Sequence, residues 1–158
     1  MTQREIRAAG VVPAPPEAVF EHLADLRTHW ALTDGRVRLT ERPPGNASRG
    51  GAVRMRGPLG IRRQAVTEVS SSEPPRRLVG RARIGRRTEA RIRWRLEPAG
   101  ERMTLVELSA DIVAAGTADR LLLALGARAW LRLLFRRVLG RLAALGPTLA
   151  DARPAEAR

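Results

Sequence analysis

The chain has 158 residues, 44% of them hydrophobic, which is enough for one domain with its own core and excludes a disordered polypeptide. It has no cysteine and only two histidines, His22 and His29, which excludes disulfides, thiolate sites, a cysteine nucleophile and a histidine-rich metal centre; no metal or other cofactor is expected. The formal charge is +13, yet all 29 basic residues are arginine and aromatics are 3%, a profile of GC-rich coding that lacks the stacking platforms of nucleic-acid modules, so nucleic acid is not expected as a partner.

The N-terminus has no apolar run behind a basic start, and no uncharged apolar run is long enough to span a bilayer, so a cytoplasmic location is expected. Glu5 to Val12 reads as a strand that ends at Pro13. Pro15-Pro16-Glu17 opens a helix without a polar cap, and Val19, Phe20, Leu23 and Ala24 give it one apolar face. Asp25 can cap a second short helix from Leu26 to Leu32.

The period then changes to two: Val37 and Leu39 alternate with Arg36 and Arg38, and Val53 and Met55 with Arg54 and Arg56, across a Pro/Gly-rich loop from Arg42 to Gly51. Ile61 to Val69 is the next strand, closed by Ser70-Ser71-Ser72-Glu73-Pro74-Pro75. Leu78 to Ile84, Thr88 to Leu96 and Met103 to Val113 complete the set, with Gly85 and Pro98-Ala99-Gly100 as turns. In the last two strands Ala90, Ile92, Trp94, Leu96, Thr104, Val106, Leu108, Ala110 and Ile112 share the inward face. Glu89, Arg91, Arg93, Arg95, Leu105, Glu107, Ser109 and Asp111 take the other face, whose charged residues are expected to meet water, the acids balancing the arginines. Face matching across the turn predicts Ile92 opposite Leu108, Trp94 opposite Val106 and Arg93 opposite Glu107.

From Thr117 to about Leu145 the pattern predicts one long helix stopped by Pro147. Leu131, Leu134, Phe135, Val138, Leu142 and Leu145 form its core stripe, which continues towards the N-terminus through the small residues Ala127 and Ala124. Space under the sheet is therefore expected at the alanine end. Leu121, Leu122, Leu125, Ala129 and Leu133, interleaved with Arg128, Arg132 and Arg136, lie on another face, where a membrane surface, a second copy, a surface loop or cover by the arginine stems would explain them. Residues 1–150 form a single domain on this reading, and 151–158 a tail.

The run Val12-Pro13-Ala14-Pro15-Pro16-Glu17-Ala18-Val19-Phe20, then Ala24-Asp25-Leu26 and Trp30, resembles the opening of the START-related SRPBCC superfamily, and the strand into Gly116 followed by a Leu/Arg-rich helix resembles its ending. The resemblance spans about residues 4–146 and implies an α+β helix-grip fold, a curved antiparallel sheet around a C-terminal helix with a cavity between. It implies binding or transport of a hydrophobic small molecule, lipid or polyketide-like; a polyketide cyclase/dehydrase-type enzyme and a membrane- or partner-binding protein are the alternatives. No catalytic constellation stands out by spacing. Trp94 and Leu108 are ligand-contact candidates from their inward positions, Phe20 and Met55 from their apolar faces, Ala124 and Ala127 from the thinning stripe, and Trp30 from the resemblance, which places it at the cavity mouth. His29, Gln64, Thr88 and Thr104 are the polar groups that could meet a ligand carbonyl.

Overall fold

The computed structural model describes residues 5–41, 50–57 and 60–152. Strand β1 (Glu5–Val12) buries Ile6, Ala8 and Val12 on one face, as alternation requires. Helix α1 (Pro16–Ala24) starts on proline with no side-chain cap and buries Val19, Phe20 and Leu23. The Asp25 carboxylate accepts from the Arg27 N–H at 2.9 Å and caps α2 (Leu26–Ala31).

Six antiparallel strands follow: β2 (Val37–Glu41), β3 (Gly50–Arg56), β4 (Arg62–Glu73), β5 (Arg77–Ile84), β6 (Thr88–Gly100) and β7 (Met103–Ala114). The sheet order is β1-β7-β6-β5-β4-β3-β2, so each strand pairs with its chain neighbour and β1 closes on β7. The sheet curls into a half-barrel around a C-terminal run of 35 helical residues, 117–151, which is the helix-grip architecture.

The differences from expectation have local causes. The three serines continue β4 rather than ending it; the turn is at Pro74-Pro75-Arg76. Gly50 and Gly51 belong to β3, while residues 42–49 of the expected loop and 153–158 of the expected tail lie outside the described residues. Strand β6 runs through Pro98 with an irregularity between Pro98 and Gly100, and the hairpin turns at Glu101-Arg102. That moves the register by two: Trp94 lies opposite Leu108, Ile92 opposite Ala110, Arg93 opposite Ser109 and Arg95 opposite Glu107. A slip of two keeps every side chain on its face, so the expected inward and outward sets survive a wrong pairing.

The terminal helix is not continuous. Helix α3 (Thr117–Leu122) passes into a π turn (Leu123–Ala127), where Gly126 adopts φ 111°, and α4 (Arg128–Asp151) follows. A Cβ on Gly126 would meet no neighbour within 4 Å, so the glycine is there for its backbone and not for space. Pro147 lies inside α4 and does not end it. The last turn is held from outside: Leu149 and Ala150 pack on the core, and Arg102 Nη2 donates to the Ala150 carbonyl at 2.8 Å. Gly146 lets Pro13 against the helix, since a Cβ there would come within 2.5 Å of the Pro13 ring.

The core has two parts. The larger joins β1, α1, β6, β7 and α4 through Ile6, Leu23, Leu96, Val106, Phe135 and Leu142. The smaller joins Val37, Val53 and Ala65, with Trp30, Leu39, Met55 and Ile84 packed against it. Of the expected helix stripe, Phe135, Val138 and Leu142 are buried, but Leu145 is exposed and Leu139 takes the inner place.

Candidate functional site

Between the two core clusters lies a cavity of about 200 Å³. Its roof is α4, through Leu131, Leu134, Phe135 and Val138; its floor is the inward face of β2 to β7; α2 closes one side through Leu26, His29 and Trp30. The space exists because the sheet carries small residues there. Ala82 and Ala90 lie directly opposite each other on β5 and β6, Gly80 precedes them, and neither alanine belongs to a packed cluster. The lining is almost wholly apolar.

His29 is the one imidazole in the wall. Its Nδ1 is 3.0 Å from the Leu23 carbonyl, and a carbonyl can only accept, so Nδ1 carries the proton and Nε2 the lone pair. The ring stands edge-on to Trp30 at 4.8 Å and to Trp94 at 5.4 Å, which ties α2 to β6 across the cavity. Burial pushes its pKa down to about 4, only partly opposed by the hydrogen bond to Leu23 and followed by a smaller effect of His22, so the ring is neutral at pH 7. Among the described residues the buried Trp30 Nε1 has no hydrogen-bond partner.

The other polar candidates serve the fold. The Thr104 hydroxyl donates to the Ala14 carbonyl at 2.7 Å and stitches β7 to the start of α1. The Thr88 hydroxyl accepts from the Gly116 N–H at 3.2 Å and donates to Asp119, which also pairs with Arg63 at 2.7 Å; together they pin the start of α3 to the sheet. Gln64 points to the outer face, opposite Arg54.

Of the seven ligand-contact candidates, the cavity brings together Trp30, Met55, Trp94 and Leu108. Phe20 is buried in the larger cluster and does not reach the cavity. Ala124 is exposed and Ala127 half-buried; both lie in the π turn and neither lines the space. The expectation that the helix thins over the cavity is therefore corrected: bulky Leu131, Leu134 and Phe135 cover it, and the strands supply the small residues. Alternation had already turned Ala90 and Ala110 inward; their size was the readable signal. Leu121, Leu125 and Leu133 are exposed, the first two before the kink at Gly126.

Among the described residues no helix is long and apolar enough to cross a membrane, and no three His, Asp or Glu side chains come together as a metal site. Residues 3–146 match the family model described as polyketide cyclase / dehydrase and lipid transport. No curated protein sequence matches the chain. Among solved structures, a START superfamily protein from Mycobacterium smegmatis aligns with TM-score 0.68 and 14% identity over 90% of this chain and 99% of that one. A protein from Chromobacterium violaceum gives 0.65 and 16% over 90% and 97%. An aromatase/cyclase from Streptomyces sp. R1128 gives 0.62 and 20% over 96% of each chain. At such identities the likeness carries the fold and nothing finer.

Proposed function

We propose, starting from the membership of this chain in the polyketide cyclase/dehydrase and lipid-transport family, that it binds or carries a hydrophobic small molecule in the cavity between the sheet and α4. The supporting observation is the composition of that wall: two indoles, aliphatic side chains from six strands and the helix, and a single neutral imidazole. Its volume of about 200 Å³ is below the ~300–1,000 Å³ common for drug-sized ligands, which favours a small ring system or one end of a longer molecule. The ligand contacts on this reading are Trp30, Met55, Trp94 and Leu108, with Leu131, Leu134 and His29 added.

His29 supports a carrier over a cyclase. A proton-moving residue works best with a pKa near the operating pH, and a ring held down to about 4 accepts a hydrogen bond more readily than a proton. The ligand would then place a hydroxyl or amide donor against it. Native mass spectrometry of gently purified protein is expected to show a co-purified small molecule, and an anilinonaphthalene sulfonate probe to gain fluorescence and quench tryptophan emission with saturation. Protein that carries nothing and takes up neither this probe nor a fatty acid overturns the reading.

A further inference from the structure

The outer face of β2, β3 and β4 carries a feature unrelated to the apolar cavity. Arg38 lies directly opposite Arg54, and Arg56 directly opposite Arg62. Like charges facing each other across antiparallel strands destabilise the pair. With Arg36 these four line a depression of about 410 Å³ over the Asp34-Gly35 turn. Arg38 folds back over that turn, its Nη2 3.4 Å from where a Cβ on Gly35 would stand.

Elsewhere on the same face arginines also meet across strands, Arg77 opposite Arg95 and Arg81 opposite Arg91, but there carboxylates stand between them, Glu73 on Arg77 among them. Arg93 pairs with Asp111 and Glu5, Arg81 with Glu89, Arg95 with Glu97 and Arg7 with Glu107. In the depression the one lining carboxylate, Asp34, is taken by Arg141 at 2.7 Å. Among the described residues none of the five lining arginines has an ion-pair partner. A concave surface that gathers five guanidinium forks and leaves them without carboxylates is suited to an external anion. One carboxylate occupies one fork, whereas phosphate oxygens can accept from several forks at once.

From this geometry we infer that the depression binds a phosphate-bearing anion, on the opposite side of the sheet from the cavity and independent of the ligand proposed there. The phosphate could belong to a soluble molecule or to a lipid headgroup.

Titration calorimetry with inorganic pyrophosphate at low ionic strength is the test. Saturable binding at one site is expected, weakening as salt rises. The variant Arg54→Gln/Arg56→Gln/Arg62→Gln should bind roughly tenfold or more weakly. Because it removes like-charge repulsion, it should melt no lower than the parent. The variant Arg76→Gln/Arg132→Gln/Arg137→Gln loses the same charge elsewhere and should keep parental affinity. Vesicles of phosphatidic acid in phosphatidylcholine separate the sources. Co-sedimentation that pyrophosphate reverses supports a headgroup in the depression; pyrophosphate binding without vesicle binding supports a soluble ligand. Absence of saturable pyrophosphate binding, or equal loss in both variants, overturns the inference.

Discussion

Beneath β1, the end of β6 at Leu96 and the start of β7 at Val106 the sheet and α4 interlock, whereas beneath β3 to β5 and the Ala90 end of β6 the same two elements border open space. The helix is not what differs. Its bulky residues Leu131 and Leu134 stand over the hollow, Leu139 and Leu142 over the packed half, and Phe135 and Val138 border both. What differs is the strand side: Ile6, Leu96 and Val106 rise to meet the helix in one half, while Gly80, Ala82 and Ala90 stay short in the other. Trp94 belongs to both, packed in the larger cluster and exposed to the cavity along its other edge. A cavity in this chain is therefore a property of strand composition, and the helix is a rigid cover.

The largest test of the contrast is a pair of truncations. Leu142→Ala in the packed half removes a side chain with no exposure and should cost about 2–5 kcal/mol of unfolding free energy. Leu131→Ala removes a half-buried one that already borders empty space, so it should cost about 1 kcal/mol. Urea unfolding of the two variants measures the gap. Equal losses would mean that the hollow half is packed in solution.

Next in size is a pH effect confined to the hollow half. His29 is held at about 4 in the fold, against 6.5 when unfolded. The unfolded chain therefore takes up its proton first. The contribution of the neutral ring is fully present above about pH 6.5 and is lost as pH falls towards 4, roughly 3 kcal/mol in all. Urea midpoints between pH 7 and 4.5 should fall in the parent and fall less in His29→Phe. An unchanged slope in the variant would mean that His29 titrates as an ordinary solvated histidine.

Much of this contrast could be read from the sequence, and the rest fails for definable reasons. Strand alternation gave the faces, because inward and outward sets depend only on parity; the pairing was missed because Pro98-Ala99-Gly100 has turn chemistry yet lies within β6. The kink at Gly126 was invisible because a single glycine among Leu and Ala is tolerated in a helix, and nothing local announces a positive φ. A straight helix would carry Ala124 and Ala127 over the sheet and put the cavity on the helix side; the kink takes both alanines away from it. Trp30 and His29 could be placed near a cavity only through the family resemblance, since the fold of α2 across β6 depends on long-range contacts with Trp94. The arginine depression needed the register of β2 to β4, which spacing alone does not fix.

The smallest expected effect on stability is also the sharpest on function. Ala8 and Ala82 are both buried strand alanines that face the helix, one in each half. Ala8 lies opposite Leu108 within the larger cluster, so Ala8→Phe must displace packed neighbours and should cost about 1–3 kcal/mol or more. Ala82 lies opposite Ala90 and faces the hollow, so Ala82→Phe can place its ring in existing space. It should change stability by less than about 1 kcal/mol, because the apolar surface that it covers offsets the modest strain. The same ring would occupy much of the space that a ligand needs, so uptake of an anilinonaphthalene sulfonate probe should be lost while the melting temperature stays near that of the parent. If Ala82→Phe instead unfolds as readily as Ala8→Phe, the two halves are equally solid and the strand alanines only allow close approach of the helix. If it is stable and still takes up the probe, binding occurs elsewhere, and the cavity is a packing defect without a role in ligand capture.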